Sequence, residues 1–196
     1  EMNRLGMLVD ISHVSDQTFW EVLQVAEKPL IASHSGARAL SLHHRNMTDD
    51  MIRAVAETGG VVCVVFYPIF LDHDYAAAAR RVLYALEPEY AAIDAQMDRI
   101  AASYAKDRLQ IATLQKHVRP LPFQRLADHI EYIARLAGPE HVGLGSDYDG
   151  INCVPEGLET GAMMPKLTAE LARRGFTETE LRLILGENIL RVLDAQ

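Results

Sequence analysis

Short apolar runs recur along the chain, each bounded by polar or glycine punctuation and each followed by a stretch of helical character. Residues 7–12 (Met-Leu-Val-Asp-Ile-Ser), 30–33 (Leu-Ile-Ala-Ser), 61–67 (Val-Val-Cys-Val-Val-Phe-Tyr) and 142–146 (Val-Gly-Leu-Gly-Ser) are four such runs. A run that is apolar without alternation reads as a strand covered on both faces, the habit of parallel sheets. Helix signals fall between them. Ser15 is placed to cap a helix over 16–27, and Thr48-Asp49-Asp50 opens one that stops near Gly59-Gly60. A further helix spans 122–137, and Thr177-Glu178-Thr179-Glu180 is a capping box with Phe176 and Leu181 as its hydrophobic staple. Between the third and fourth runs, residues 71–120 are rich in Ala, Arg, Leu and Glu and predict one or two helices, with a break at Pro88.

Four strand–helix units in succession predict an α/β fold with parallel strands and right-handed crossovers. Four units are half of an eight-stranded (β/α)8 barrel of the TIM type. Half a barrel leaves two sheet edges unpaired. The pattern therefore allows two architectures, a smaller open α/β sheet or the C-terminal part of a larger barrel. In either case residues 1–196 form one domain, with 71–120 as a helical insertion whose role as a lid or a homodimer surface stays open.

Composition narrows the partners. The chain has 196 residues, 49% of them hydrophobic and 23% charged, an ordinary globular balance. A net charge of -8 argues against nucleic acid or an anionic membrane surface. No apolar stretch is long enough for a transmembrane segment. The chain opens Glu1-Met2-Asn3-Arg4 rather than on an initiator Met, which fits the removal of an upstream segment and leaves the compartment open. Cys63 lies inside an apolar run, where a buried free thiol is expected rather than a disulfide with Cys153.

The first two runs end in Ser12-His13 and Ser33-His34. In α/β barrels the active site is built at the C-terminal ends of the strands, and two imidazoles delivered there can reach one metal ion. The alternative for each is a hydrogen bond to a loop backbone. Asp147 and Asp149 follow the fourth run in Asp147-Tyr148-Asp149-Gly150. A carboxylate there can orient an attacking water or take its proton, although Asp and Gly also suit a plain turn. Arg45, in the loop after the second run, has the donor fork that grips a carboxylate, or it faces solvent. His43, His44, His73, His117 and His129 read as exposed loop or helix residues, and His141 stands at the wrong end of its strand for chemistry.

Taken together, these segments resemble the membrane (renal) dipeptidase family, the M19 zinc peptidases. The resemblance runs through Asn3-Arg4-Leu5-Gly6-Met7-Leu8-Val9-Asp10-Ile11-Ser12-His13, Ser33-His34-Ser35, Arg45-Asn46, Gly143-Leu144-Gly145-Ser146-Asp147-Tyr148-Asp149-Gly150, Pro155-Glu156-Gly157-Leu158 and Glu187-Asn188-Ile189-Leu190-Arg191-Val192. It implies a (β/α)8 barrel with two Zn2+ ions at its C-terminal face and hydrolysis of small dipeptides by a metal-bridged hydroxide. By position, His13 and His34 resemble the two histidines of the second zinc. Arg45 resembles the arginine that holds the substrate's C-terminal carboxylate, and Asp147 the aspartate facing the bridging water. The family's ligands for the first zinc, a His-x-Asp pair and a bridging Glu, have no counterpart in 1–196, so the resemblance is to the C-terminal half of a family member. The apolar Pro68-Ile69-Phe70, where the family carries polar residues or Tyr, implies an apolar wall beside the substrate. Two other readings stay open: a related amide or β-lactam hydrolase, and a non-catalytic half-barrel that needs an upstream segment or a partner.

Overall fold

The computed structural model describes residues 1–196. At its centre lies a three-stranded parallel sheet in the order β1 (Ile31–Ser35), β2 (Val61–Val65), β3 (Val142–Gly145). Every residue of β2 is buried, as its unbroken Val-Val-Cys-Val-Val allows. Alternation sorts the side chains between two layers. Ala32, Val62, Val64 and Val142 join the main core, with Phe19, Ile52, Leu126 and Ile130. Ile31, Val61 and Cys63 point the other way, into a small cluster closed by Val192 with Leu8 and Ile189.

The sheet is rolled. A methyl group on Gly145 would lie 2.0 Å from the backbone oxygen of Ser33, and one on Gly143 would lie 2.8 Å from Cys63 Sγ. Only residues without side chains let β3 curl over β2 towards β1. That roll carries the C-terminal end of β1, where His34 stands, towards the segment that follows β3, where Asp147 stands.

The expected first strand is not there. Within residues 7–12 only Asp10 pairs, in an isolated parallel bridge to Ile31. Ile11 N–H donates to Ile31 O (2.9 Å) and Ile31 N–H to Val9 O (3.1 Å), and the ladder stops. Its next rung would need Ser33 N–H for the Ile11 carbonyl. The Asp10 carboxylate takes that N–H instead, at 3.1 Å, together with Ser12 N–H at 3.0 Å. A side-chain acceptor has outcompeted the sheet.

The helices follow the capping signals closely. After the single turn α1 (Met2–Leu5), α2 (Asp16–Val25) is capped by Ser15 Oγ, which accepts from Thr18 N–H at 3.1 Å. The helix α3 (Asp49–Glu57) is capped by Thr48, and a short α4 (Pro68–Leu71) follows β2. Residues 71–120 hold three long helices rather than one or two: α5 (His73–Tyr84), α6 (Glu87–Gln96) and α7 (Arg99–His117). Pro88 starts α6, and Asp98, accepting from Ile100 and Ala101 N–H, starts α7. The extra break is this Asp98 cap. Then come α8 (Gln124–Ala137), α9 (Met164–Arg173), α10 (Glu178–Arg182) with the full Thr177–Glu180 capping box, and α11 (Asn188–Asp194). Arg174, just past α9 and paired with Glu170 of that helix, fastens it to α8 through ion pairs to Asp128 and Glu131. Both cysteines are free, Cys63 buried.

Candidate active site

The two Ser-His dipeptides meet. His13 Nε2 and His34 Nε2 lie 2.8 Å apart, one from the turn after the Asp10 bridge and one from β1. Their protons can be counted. Asp10, ionised, only accepts. Ser33 Oγ stands 2.5 Å from Asp10 Oδ2 and gives its proton there. The same Oγ lies 2.8 Å from His34 Nδ1, so it must accept from that nitrogen. His34 therefore carries its proton on Nδ1 and presents a bare Nε2 lone pair towards His13. Such a carboxylate-to-imidazole relay is how proteins orient a histidine that ligates a metal. Ser12 completes the support: its Oγ donates to Asp10 Oδ1 (2.9 Å) and accepts from His34 N–H (3.0 Å). Burial opposes ionisation of Asp10, but the hydrogen bonds from Ser33 and Ser12 outweigh it and hold its pKa below the ordinary value. Burial lowers the pKa of His34, against the attraction of Asp147. Both effects favour the state that a metal needs, an anionic carboxylate behind a neutral imidazole.

Arg45 lies beside this pair. Its Nε donates to Ser12 O at 3.0 Å, and its guanidinium sits 5.3 Å from the centre of the Phe70 ring. Its Nη2 is buried without a partner. A buried guanidinium nitrogen with free N–H groups is costly, and an incoming carboxylate would remove that cost. Burial depresses the Arg45 pKa, while Asp147 and Asp10 pull it up.

The loop that carries Arg45 is pinned from beneath by two residues. Asn46 Nδ2 donates to Ser41 O (2.9 Å) and Phe70 O (2.7 Å). His129 Nδ1 accepts from Ala37 N–H (3.0 Å), and its Nε2–H donates to Leu71 O (3.0 Å). His129 is fully buried, not the exposed helix residue expected, and burial lowers its pKa to about 4. His43 also departs from expectation. It is half-buried, stacked on Phe70 at 4.3 Å and on His44 at 4.5 Å, and burial first, then the charges of His44 and Arg45, lower its pKa to about 4. His141 behaves as its position predicts, with Nδ1 bonded to Gly60 O at the far end of the sheet.

Asp147 opens the turn after β3 in the left-handed region, φ 55, a conformation that Asp tolerates better than most residues. Gly150 N–H donates to Asp147 O at 2.9 Å. A methyl group on Gly150 would lie only 2.2 Å from Asp147 Oδ1, so the carboxylate fills the space that any larger residue would occupy. Asp149 is exposed and has no hydrogen bond to the histidine pair.

As a metal centre the residues present fit in kind and fall short in number. Two imidazole nitrogens converge, one of them with its lone pair fixed by a buried relay. No group of three or more His, Cys, Asp or Glu comes together in this chain, whereas zinc usually takes three or four protein ligands. The pair supplies two positions of such a set.

A family model described as membrane dipeptidase (peptidase family M19) matches residues 1–196 in full. The chain belongs to the membrane dipeptidase family, M19. An uncharacterized dipeptidase of Schizosaccharomyces pombe is 38% identical over 193 residues, which is 98% of this chain and 37% of that protein. The probable dipeptidase PvdM of Pseudomonas aeruginosa superposes with a TM-score of 0.78 at 25% identity, over 99% of this chain and 51% of that one. A metallopeptidase of Rhodobacter sphaeroides, solved with a phosphinate mimic of the dipeptide L-Ala-D-Ala, gives 0.74 at 24% identity, over 99% and 44%, a likeness of fold. The chain thus spans under two fifths of this curated relative and about half of these two solved chains, whose fold it shares. Family membership implies a metal cofactor. No helix is long and apolar enough to cross a membrane.

Reading for ligands alone passes over Asp10, Ser12 and Ser33, which set the proton on His34. The signal was present. Ser precedes His in both dipeptides, and Asp10 is the one charged residue inside an apolar run.

Proposed function

We propose that this site serves the zinc-dependent hydrolysis of dipeptides. The observation that carries the reading is the convergence of His13 and His34 Nε2 beside a buried, unpartnered Arg45 nitrogen. His13 and His34 would hold one zinc ion, and its further donors, like the ligands of a second ion, would come from outside residues 1–196. Bound there, zinc supplies Lewis acidity, polarising the scissile carbonyl and acidifying a water. The chain's own residues do the rest. Asp10 and Ser33 keep His34 neutral and aimed. Arg45 grips the C-terminal carboxylate of the substrate, which restricts it to very short peptides. Asp147, close enough to influence both His34 and Arg45, takes the proton of the attacking water and passes it to the leaving amine. In this account residues 1–196 form one domain, the last units of a (β/α)8 barrel, with 71–120 inserted as helices. The rolled sheet, open at the β3 edge and barely extended beyond β1, supports that placement.

A dipeptide panel assayed with zinc, with and without chelator, on the protein containing these residues tests the reading. Chelator-sensitive cleavage of free dipeptides and none of their C-terminal amides is expected. Equal cleavage of the amides would remove Arg45 from its role, and chelator-resistant cleavage would remove the metal.

A further inference from the structure

Two cavities lie end to end between α7 and the segment after β3. The larger one, about 440 Å³, is walled mainly by Ile111, Leu114, Val118, Ile151 and Val154, with Cys153 on the same wall. The smaller one, about 310 Å³, shares Ile111, Ile151 and Asn152 with the larger and reaches Tyr67 and Gly150. Gly150 is the residue against which the Asp147 carboxylate rests. The smaller cavity therefore borders the site, through Gly150 beside Asp147 and through Tyr67, whose ring meets Phe70 next to Arg45, and it adjoins the apolar one.

The passage between them is held by a chain of hydrogen bonds. Tyr67 O–H donates to Asn152 Oδ1 (3.1 Å), and Asn152 Nδ2 donates to Gln110 Oε1 (2.6 Å). This chain joins the end of β2, the segment after β3 and the helix α7, so the inserted helices form one wall of the route. Neither cavity is lined by Lys, Arg or His, while Asp107, Asp149, Glu156 and Glu159 edge them. That lining repels an acidic side chain and offers an uncharged, bulky one an apolar surface. Ligand pockets commonly measure about 300–1,000 Å³ with this mixture of apolar wall and few polar groups.

We infer that this cleft is the pocket for a large apolar side chain of the substrate, with α7 setting the specificity. The inference rests on the dipeptidase reading. Its test is built to fail separately. Cys153 lines the larger cavity and is the less buried of the two cysteines, so its labelling by a small methanethiosulfonate reports occupancy; Cys153→Ser identifies the signal. The protein containing these residues, supplied with zinc, is labelled with and without reduced-bond analogues of leucyl-leucine and glycyl-glycine, which cannot be hydrolysed. The leucyl analogue slows labelling and the glycyl one does not. Ile111→Trp, which fills the passage, abolishes that protection and lowers the kcat/KM ratio of leucyl-leucine to glycyl-glycine by about tenfold. Labelling untouched by either analogue overturns the pocket, even where both peptides are cleaved and the dipeptidase reading stands. Cleavage of neither peptide overturns the dipeptidase reading, and the labelling arm still decides the pocket.

Discussion

The buried His129 makes the stability of the Arg45 loop depend on pH. In the fold its imidazole is neutral, accepting from Ala37 N–H and donating to Leu71 O. Burial lowers its pKa from 6.5 to about 4. The unfolded chain takes up a proton on this residue as the pH falls below 6.5, whereas the folded chain does so only near 4. Over that window the unfolded state binds more protons, so stability falls with acid and rises with pH, by up to about 1.4 kcal/mol per pH unit. A depression of about 2.5 units corresponds to a loss of about 3 kcal/mol between pH 7.5 and pH 4, a large part of a typical domain's stability. Urea unfolding followed by circular dichroism at steps across this range measures the loss. His129→Gln keeps a donor and an acceptor but does not titrate, so its stability should respond less to pH by about one proton's slope. The same slope in the variant and the wild type would refute the argument.

Other outcomes follow from the site. Arg45→Ala should raise KM for dipeptides on the order of 100-fold with kcat little changed, since a charge-assisted pair contributes about 1.5–3 kcal/mol to substrate capture; a collapse of kcat at constant KM would contradict this. Asp10→Asn removes the acceptor that holds the Ser33 proton and should weaken zinc binding about 10–100-fold, read by chelator competition; unchanged affinity would detach the relay from the metal. Gly150→Ala places a carbon where the Asp147 carboxylate rests, so kcat should fall while the urea midpoint moves little, and wild-type kinetics would argue against a role for Asp147.

What the sequence made legible was periodicity and capping. The all-apolar 61–65 could only be a doubly covered strand, and Ser15, Thr48 and the Thr177–Glu180 box place helix starts where they occur. The pairing of His13 with His34 was legible because both close an apolar run after a serine. The failure of the strand expected at 7–12 was not legible, because it depends on the Asp10 carboxylate capturing an N–H from β1, a contact between distant segments. The third long helix was hidden in an Ala-rich stretch whose break lies in one Asp98 cap. His129 was misjudged for a related reason. A single His on a helix gives no sign of the two backbone groups that the fold brings to it. Gly145 carried the strongest unused clue, since a strand with alternating glycines can approach another backbone closely, and that approach draws β1 and β3 together.

Everything else proposed for this site depends on His13 and His34 holding a metal. Zinc affinity of the wild type, His13→Ala and His34→Ala, measured by competition with a chromophoric chelator, tests it most directly. Affinity at least about tenfold weaker is expected in each variant, with dipeptide cleavage lost in step. Zinc bound equally tightly by all three would contradict it.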